Sequence, residues 1–380
     1  MFCYGDSNNA STWSNVPFLM GRELEHHDIT IPRVDISINN ILTRVINRCI
    51  RLWLAATGHG NNADYGFIRS WLYRLLVEQK IAKAVKSHPK TDYCIFLCFD
   101  FYNKFSNTPS LVFSDWTYQM LIEERRSRPT DRFDRKFIAQ QEEVLNKADV
   151  VLPLFSTTFA KLHIKYPNAN VFHPGFNVIN CMNVGAMNRD KITETKSRSN
   201  SIIFIGGPQY INGLKSLIES MSLLKRPMTL NVIGMKREMV PAAPDFVTFH
   251  GYLRKDIQDE NHLYYKLLTE AKMIVNTTPL WGAYSSIVEG MYFYTPVIVS
   301  PFAQFTSEFG TNIDFGHYCH SGSHAELAEK IDQIASMCTI DYVRLCDNAH
   351  DRVKAYTWQR FVDSMLSIMS HSAKVLGKNN

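Results

Sequence analysis

The sequence lacks the patterns that mark several common classes of protein. Its eight cysteines form no CxxC pair and no Cys/His spacing typical of zinc sites, which argues against a disulfide framework and a zinc module. No window approaches the ~20 uncharged apolar residues of a membrane-spanning helix. The first six residues show no basic segment followed by an apolar one, so we expect no signal peptide. Reduced thiols and a cytoplasmic location are the resulting expectation.

The chain has enough apolar sequence for two packed domains. Of its 380 residues, 45% are hydrophobic and 12% are aromatic, which argues against disorder. Single hydrophobic cores stop growing well before this length. We therefore expect two domains.

The net charge of +5 is modest and unevenly placed. Residues 41–90 hold nine Lys and Arg against two acids, with apolar residues at helical spacing between them. A solvated helix face over a packed core accounts for this pattern. The functional alternative is a surface that binds anionic lipid. No nucleic-acid-binding motif accompanies the charge, so we expect no nucleic acid partner. The basic residues are Arg44, Arg48, Arg51, Arg69, Arg74, Lys80, Lys83, Lys86 and Lys90.

Strands and helices alternate along both halves, most clearly in the second. Continuous apolar strands with intervening helices predict parallel sheets covered on both faces. Predicted strands lie at 92–99, 111–113, 150–154, 201–205, 228–233, 246–249, 273–276 and 296–300, with a strand and a turn at 171–175, and predicted helices at 131–147, 214–224 and 261–271. The polar stretch 189–200 is predicted as part of a linker.

We therefore predict an α/β protein with two Rossmann-like αβα domains facing a cleft. Their expected bounds are 1–178 and 201–355, joined by a linker at 179–200. Residues 356–380 follow as a terminal helical segment.

The most informative stretch is 288–300. It predicts a short helix with one acid, Glu289, then a Thr-Pro break and a buried strand. The loop before it would place backbone N–H groups at the start of the helix, where phosphate is attracted. A carboxylate one turn inside can accept hydrogen bonds from a sugar hydroxyl pair. The combination predicts a nucleotide-sugar site, with donor contacts from Gly282, Ala283, Tyr284, Ser285 and Ser286.

This segment resembles the core motif of the large retaining glycosyltransferase family four. Glu289 matches the helix glutamate of that motif, which in the family binds the ribose of the donor nucleotide. Trp281 replaces the loop glutamate eight positions earlier, and Gly282 matches the glycine that follows it. The resemblance therefore implies a ribose contact at Glu289 and the loss of one sugar contact. A plain acid in the first turn of a helix is the alternative for Glu289.

The resemblance extends from about residue 148 to 360. It includes the strand at 148–156, the turn at 173–177, the glycine loop at 206–213, the strand at 247–252 and the aromatic segment at 356–358. The matching segment of the family is a C-terminal helix that returns to the first domain. The resemblance implies the same for residues 356–380.

The glycine loop is the implied site of the donor diphosphate. It is neither G-x-G-x-x-G nor a P-loop, and Gly207 and Asn212 occupy positions that are basic in the family. Gly206 would allow close approach of a phosphate, and Lys215 or Lys236 would supply positive charge. For each of these lysines, a solvated position on a helix or loop is the alternative.

Five further residues have open alternatives. Tyr252 and Leu253 match the nucleobase contacts of the family, with ordinary packing as the alternative. Ser285 and Ser286 suit donor contacts, helix caps or both. Asp115 ends a predicted strand among aromatic residues and is our candidate catalytic residue, with a role as helix N-cap as the alternative.

The resulting prediction is a glycosyltransferase that moves a sugar from a nucleoside diphosphate donor to a glycan or glycolipid acceptor. Surface polysaccharide synthesis is the expected setting. The absence of an Asp-x-Asp pair argues against a metal-dependent single-Rossmann transferase, so we expect no metal and no cofactor. An anionic membrane surface is a further candidate partner. A non-catalytic nucleotide-sugar-binding partner of another transferase and a sugar-nucleotide epimerase remain alternatives.

Overall fold

The computed structural model describes residues 1–58, 65–175, 177–278, 284–320 and 323–377. The chain divides into two compact units, Met1–Phe176 with Val362–Asn380, and Asn177–Phe361. Each unit contains its own parallel sheet. This confirms the predicted α/β class with two parallel-sheet, Rossmann-like domains.

The first unit is built on a five-stranded sheet in the order β2-β1-β3-β4-β5, and every pair in it is parallel. Its strands are β1 (Phe2–Cys3), β2 (Val34–Asp35), β3 (Cys94–Phe96), β4 (Ser110–Ser114) and β5 (Val150–Pro153). Its helices are α1 (Val16–His26), α2 (Asn40–Ala56), α3 (Trp71–Ser87), α4 (Tyr118–Met120, continued by a π-helical segment Leu121–Arg126), α5 (Arg132–Lys147) and α6 (Ser156–Lys165).

Apolar residues on the central strands account for the core of this unit. β3 and β5 are buried along their whole length, as expected for strands covered on both faces. Phe2 stacks on Phe96 with ring centroids 4.6 Å apart. Within the predicted strand and turn at 171–175, the described part of the chain forms a parallel bridge between Val151 and Val171.

The second unit contains a six-stranded parallel sheet in the order β11-β10-β9-β6-β7-β8. Its strands are β6 (Ser201–Ile205), β7 (Thr229–Ile233), β8 (Val247–Gly251), β9 (Met273–Asn276), β10 (Val297–Val299) and β11 (Gly316–Tyr318). Its helices are α7 (Arg189–Arg198), α8 (Ile211–Met221), α9 (Gln258–Glu270), α10 (Ser285–Tyr292), α11 (Ala303–Phe309), α12 (His324–Ala335) and α13 (Thr339–Val353), and α14 (Trp358–Gly377) follows them.

The five strands predicted for the second half are confirmed as β6 to β10, with ends that differ by no more than two residues. The predicted helix around Glu289 is confirmed as α10. No helix within the described ranges is long and apolar enough to cross a membrane. All eight cysteines have free thiols.

The segment predicted as a linker is part of the second unit and contains α7. This helix has a polar composition, but Ile192, Thr193 and Lys196 are buried. The Lys196 ammonium donates to the carbonyl oxygens of Leu268 and Ala271 and to Thr295 Oγ1. These acceptors come from residues far along the chain, so the polar composition of this stretch does not reveal the burial of Lys196. Burial lowers the pKa of Lys196 to about 7.

Candidate functional site

The sheet of the second unit reverses its strand order at β6. Strand β7 lies on one side of β6 and β8 lies beyond it, whereas the next strand, β9, pairs with the other side of β6. In open parallel sheets, ligands bind outside the carboxyl ends of the strands at such a point of reversal. The residues that follow β6 and β9 therefore define the candidate site.

The loop after β6 is a compact turn built on glycine. Gly206 N donates to Ile233 O at 3.0 Å, which ties the loop to the end of β7. A Cβ on Gly206 would lie 3.0 Å from the Tyr210 ring, and Gly207 follows directly. Gly234 has a φ of 98°, and a Cβ there would lie 2.6 Å from Gly206 O. The loops after β6 and β7 therefore approach each other more closely than side chains would permit.

Helix α8 begins directly after this loop. Asn212 and Lys215 are exposed at its start. Gly213 faces the residues after β9, because a Cβ on it would lie 1.7 Å from Thr278 Oγ1. The Thr278 hydroxyl is buried and has no hydrogen-bond partner within the part of the chain that the structure describes. The structure thus brings the start of α8 against the segment after β9.

Helix α10 begins beside the end of β6. Ser286 Oγ donates to Ile205 O at 3.5 Å, and Ser285 is the first residue of the helix. The first N–H groups of a helix have no intrahelical partner, and the helix dipole makes this end positive. The N-cap residue is Tyr284, which makes no side-chain capping bond. Gly282 and Ala283, also predicted to contact the donor, lie outside the described residues.

The Tyr284 side chain lies in an aromatic cluster. Its ring lies 5.6 Å from that of Phe305, 6.0 Å from that of Phe302 and 6.2 Å from that of Phe309, measured between centroids. The residue is 1% exposed, and burial raises the pKa of the phenol well above its usual range. The ring therefore packs in the core, and only the backbone of Tyr284 is left for a donor contact.

Glu289 forms a buried ion pair. Lys255 Nζ donates to Glu289 Oε1 at 2.5 Å and to Oε2 at 2.7 Å. Tyr264 Oη donates to Oε2 at 2.9 Å, and Cys181 Sγ lies 3.5 Å from Oε1. The Lys255 ammonium also donates to Asn180 O at 2.9 Å. The exposed fractions of the two charged side chains are only 10% for Lys255 and 4% for Glu289.

This arrangement bears on the ribose contact that the resemblance implies for Glu289. Each oxygen of Glu289 already faces two donors, which is the capacity of a carboxylate. A ribose hydroxyl can therefore bind Glu289 only if one of these donors moves. Desolvation and the buried negative charge together raise the pKa of Cys181 and of Tyr264 well above their usual ranges.

The two residues predicted to contact the nucleobase lie just after β8 and differ in exposure. Tyr252 is 62% exposed, whereas Leu253 is 8% exposed. The Leu253 side chain is therefore buried among other residues of the protein. The Tyr252 ring is available to a ligand.

Asp115 lies in the first unit, directly after β4. Its Oδ1 accepts hydrogen bonds from Trp116 N at 2.9 Å and from Ser114 Oγ at 3.3 Å. Burial raises the pKa of this carboxyl group above its ordinary value. Asp115 is not the helix N-cap, because Thr117 caps α4 by accepting from Met120 N.

Sequence reasoning missed Lys255 and Tyr264. Lys255 lies in the loop between β8 and α9, and Tyr264 lies on α9 itself. Nothing in the local sequence distinguishes this lysine from a solvated one. No group of three or more His, Cys, Asp or Glu side chains among the described residues is placed to hold a metal ion.

Several solved structures resemble this chain in fold. WaaG, a glycosyltransferase involved in lipopolysaccharide biosynthesis, aligns with a TM-score of 0.63 at 12% identity over 96% of this chain and 98% of WaaG. Anabaena HepE, in complex with UDP and glucose, aligns with a TM-score of 0.63 at 12% identity over 99% of both chains.

S. aureus TarM, in a complex that contains UDP, aligns with a TM-score of 0.57 at 15% identity over 76% of this chain. The chain spans 58% of the length of TarM. No protein-family model and no curated protein matches the sequence. At these identities the likeness concerns the fold alone: this is an α/β chain with two Rossmann-like units, the architecture of the GT-B glycosyltransferases.

Proposed function

We propose that this protein is a glycosyltransferase that moves a sugar from a nucleoside diphosphate-sugar donor to a glycan or glycolipid acceptor. The observation that supports the proposal is the reversal of strand order at β6, where the glycine loop, the start of α8 and the start of α10 converge. Neighbours with this fold include HepE with UDP and glucose and TarM with UDP. Synthesis of a surface polysaccharide in the cytoplasm, at the inner face of a membrane, belongs to the same proposal.

The donor diphosphate would lie at the amino end of α10. Backbone N–H groups of Ser285 and Ser286 would donate to its oxygens, and Gly206 and Gly207 would allow it to approach the backbone. Lys215 is the candidate for the positive charge that Gly207 and Asn212 do not provide. Gly282 and Ala283 complete the proposed donor loop.

The nucleoside would lie toward β8 and α10. The Tyr252 ring is exposed at the end of β8, where it would stack on the base, with Leu253 packed beneath as support. Glu289 would bind the ribose after the Lys255 ammonium moves away from its carboxylate and a ribose hydroxyl takes its place. The released ammonium would remain beside the nucleotide and would offset part of the diphosphate charge.

Catalysis would come from positioning and from stabilisation of the departing diphosphate. Asp115 is the proposed contact to the reacting sugar or to the acceptor hydroxyl. We propose transfer with retention at the anomeric carbon and without a divalent metal, as in the family that the sequence resembles. Proton NMR of the product's anomeric signal tests the stereochemical outcome.

A non-catalytic nucleotide-sugar-binding protein is a second candidate. The observation in its favour is that Lys255 and Tyr264 already donate hydrogen bonds to the Glu289 carboxylate. Purified protein should be incubated with a panel of nucleoside diphosphate sugars, with and without glycan and glycolipid acceptors. Glycosylated product with release of nucleoside diphosphate supports the transferase, and binding without turnover supports the second candidate. Conversion of donor alone into an isomeric sugar nucleotide would indicate an epimerase and overturn both.

A further inference from the structure

Helix α2 in the first unit presents three different faces along its length. Ile46, Ile50 and Leu54 recur every four residues; Ile46 and Ile50 pack on the core of the unit, and Leu54 is buried. The other two faces point to solvent. One is apolar and the other is basic.

The apolar face is strongly exposed. Ile41 is 72% exposed, Val45 is 56% exposed and Leu52 is 66% exposed. They lie on one side of the helix because their spacings of four and seven residues are near multiples of the helical repeat. Leu42 and Trp53 border this stripe and are 43% and 45% exposed. Large apolar side chains exposed together in this way mark an interaction surface.

The basic face adjoins the apolar stripe. Arg44, Arg48 and Arg51 follow one another at spacings of four and three residues and are all exposed. None of them pairs with a carboxylate among the described residues, and residues 40–58 contain no Asp or Glu. The helix therefore carries an uncompensated row of positive charge beside an exposed apolar row.

We propose that α2 docks on an anionic lipid surface, with its apolar stripe in the interface and its three arginines on the headgroups. This arrangement of a polar basic face beside an apolar face is the pattern of helices that lie in the plane of a membrane. A second copy of the chain fits less well, because a twofold contact would place the same arginine rows near each other. The proposal does not depend on the proposed donor chemistry.

Within the basic stretch 41–90, the structure separates basic residues that pair inside the protein from those that face solvent. Arg74 donates to Glu78 at 2.8 Å and to Glu143 at 2.9 Å, and the Arg69 guanidinium lies 4.3 Å from the centre of the Tyr118 ring. Both arginines are therefore structural. Lys83, Lys86 and Lys90 are exposed and lie outside α2 and its apolar stripe, so they provide a matched control.

The test is cosedimentation with vesicles made of equal parts phosphatidylcholine and phosphatidylglycerol. We expect the parent protein to bind these vesicles, to bind pure phosphatidylcholine much less, and to bind more weakly, without complete loss, as salt rises. The variant R44E/R48E/R51E should lower the partition coefficient about 100-fold. The variant K83E/K86E/K90E makes the same change in net charge and should lower it less than about ten-fold.

A second variant tests the apolar contribution. Replacing Ile41, Val45 and Leu52 with Ser keeps the charge and should abolish the binding that remains at high salt. Circular dichroism checks that each variant is folded, which is expected because the changed side chains are exposed. Absence of binding by the parent, or equal losses in the two charge-reversal variants, would overturn the proposal. A parent dimer in sedimentation that the serine variant dissociates, without vesicle binding, would assign the face to self-association and also overturn it.

Discussion

Lys255 and Glu289 are 34 positions apart in the sequence, and their side chains form a buried ion pair with N–O distances of 2.5 and 2.7 Å. The pair joins the loop after β8 to helix α10. A change at either residue therefore affects folding as well as any ligand contact.

We predict that Glu289→Ala lowers the free energy of unfolding by about 3–5 kcal/mol, because it leaves the Lys255 ammonium buried without its partner. Urea denaturation followed by circular dichroism measures the change. Glu270→Ala is the control, since Glu270 makes an exposed pair with Lys266 at 3.9 Å and should cost less than about 1 kcal/mol. Equal midpoints for the two variants would show that the buried pair does not form.

The double variant K255M/E289Q removes both charges and retains an amide that can accept from Tyr264. We expect it to be more stable than Glu289→Ala, because no unpaired charge remains in the interior. This variant also separates the two roles of the site. The double variant should be folded and should bind a nucleoside diphosphate at least about ten-fold more weakly than the parent, because it loses both the proposed ribose contact of Glu289 and the proposed charge contribution of Lys255.

The close approach of α8 to the segment after β9 leads to a further prediction. Gly213→Ala should lower the free energy of unfolding by about 1–3 kcal/mol, because the new methyl group would overlap Thr278 Oγ1. Thr278→Ala in the same chain should restore part of the loss, as measured by a double-mutant cycle. Gly185→Ala is the control, since a Cβ at Gly185 would meet no heavy atom of the described residues within 4 Å. Additive effects at Gly213 and Thr278 would contradict the contact.

We predict that the burial of Lys196 makes the free energy of unfolding depend on pH. Its folded-state pKa is lowered to about 7, whereas the unfolded chain holds the proton up to roughly pH 10. Between these values the unfolded state binds more protons, so this group makes the protein more stable as pH rises above about 7. Below that pH both states are protonated and the contribution is constant.

The measurement is the free energy of unfolding of the parent and of Lys196→Met across this range. The difference between them should move in favour of the parent by roughly 2 kcal/mol between about pH 7 and pH 9. Lys191→Met, at an exposed position on the same helix, should give a flat difference. A flat difference for Lys196→Met as well would show that this lysine keeps its ordinary pKa in the folded protein.

We predict that replacing Asp115 slows sugar transfer but does not change the affinity for a nucleoside diphosphate. Asp115→Asn should lower kcat at least about ten-fold and leave the Kd for a nucleoside diphosphate unchanged, because the proposed nucleotide site lies in the second unit. Burial raises the pKa of Asp115, so kcat of the parent should fall with decreasing pH at values above the usual ~4. The variant should lack this limb. Asp92→Asn, at an exposed position before β3, should behave like the parent.

Most of the second sheet was predictable from the sequence because its strands are short apolar runs bounded by glycine and polar residues. β6 and β9 are fully apolar at their central buried positions, and this local pattern is sufficient to place them. The position of Glu289 on a helix before a buried strand was also predictable from local pattern.

The surroundings of the predicted site residues were not predictable. The partner of Glu289 comes from a loop that the fold brings close, and the aromatic cluster around Tyr284 comes mainly from α11. Likewise, α7 has too few apolar residues to predict a packed helix. The Lys196 ammonium on this helix is buried, where it donates to oxygens at the end of α9 and at Thr295. These contacts depend on tertiary structure rather than on local pattern.

The central claim is that the amino end of α10 holds a donor diphosphate. The most direct test is calorimetric titration of the nucleoside diphosphate that binds the parent most tightly, UDP among the candidates, into Ser285→Glu. An acid at the first position of a helix favours the helix itself but repels a diphosphate there. Thr339→Glu places the same charge at the first position of α13 and is the matched control. We predict at least about ten-fold weaker binding for Ser285→Glu and parent-like binding for Thr339→Glu; equal affinities in the two variants, or no nucleoside diphosphate binding by the parent, would contradict the account.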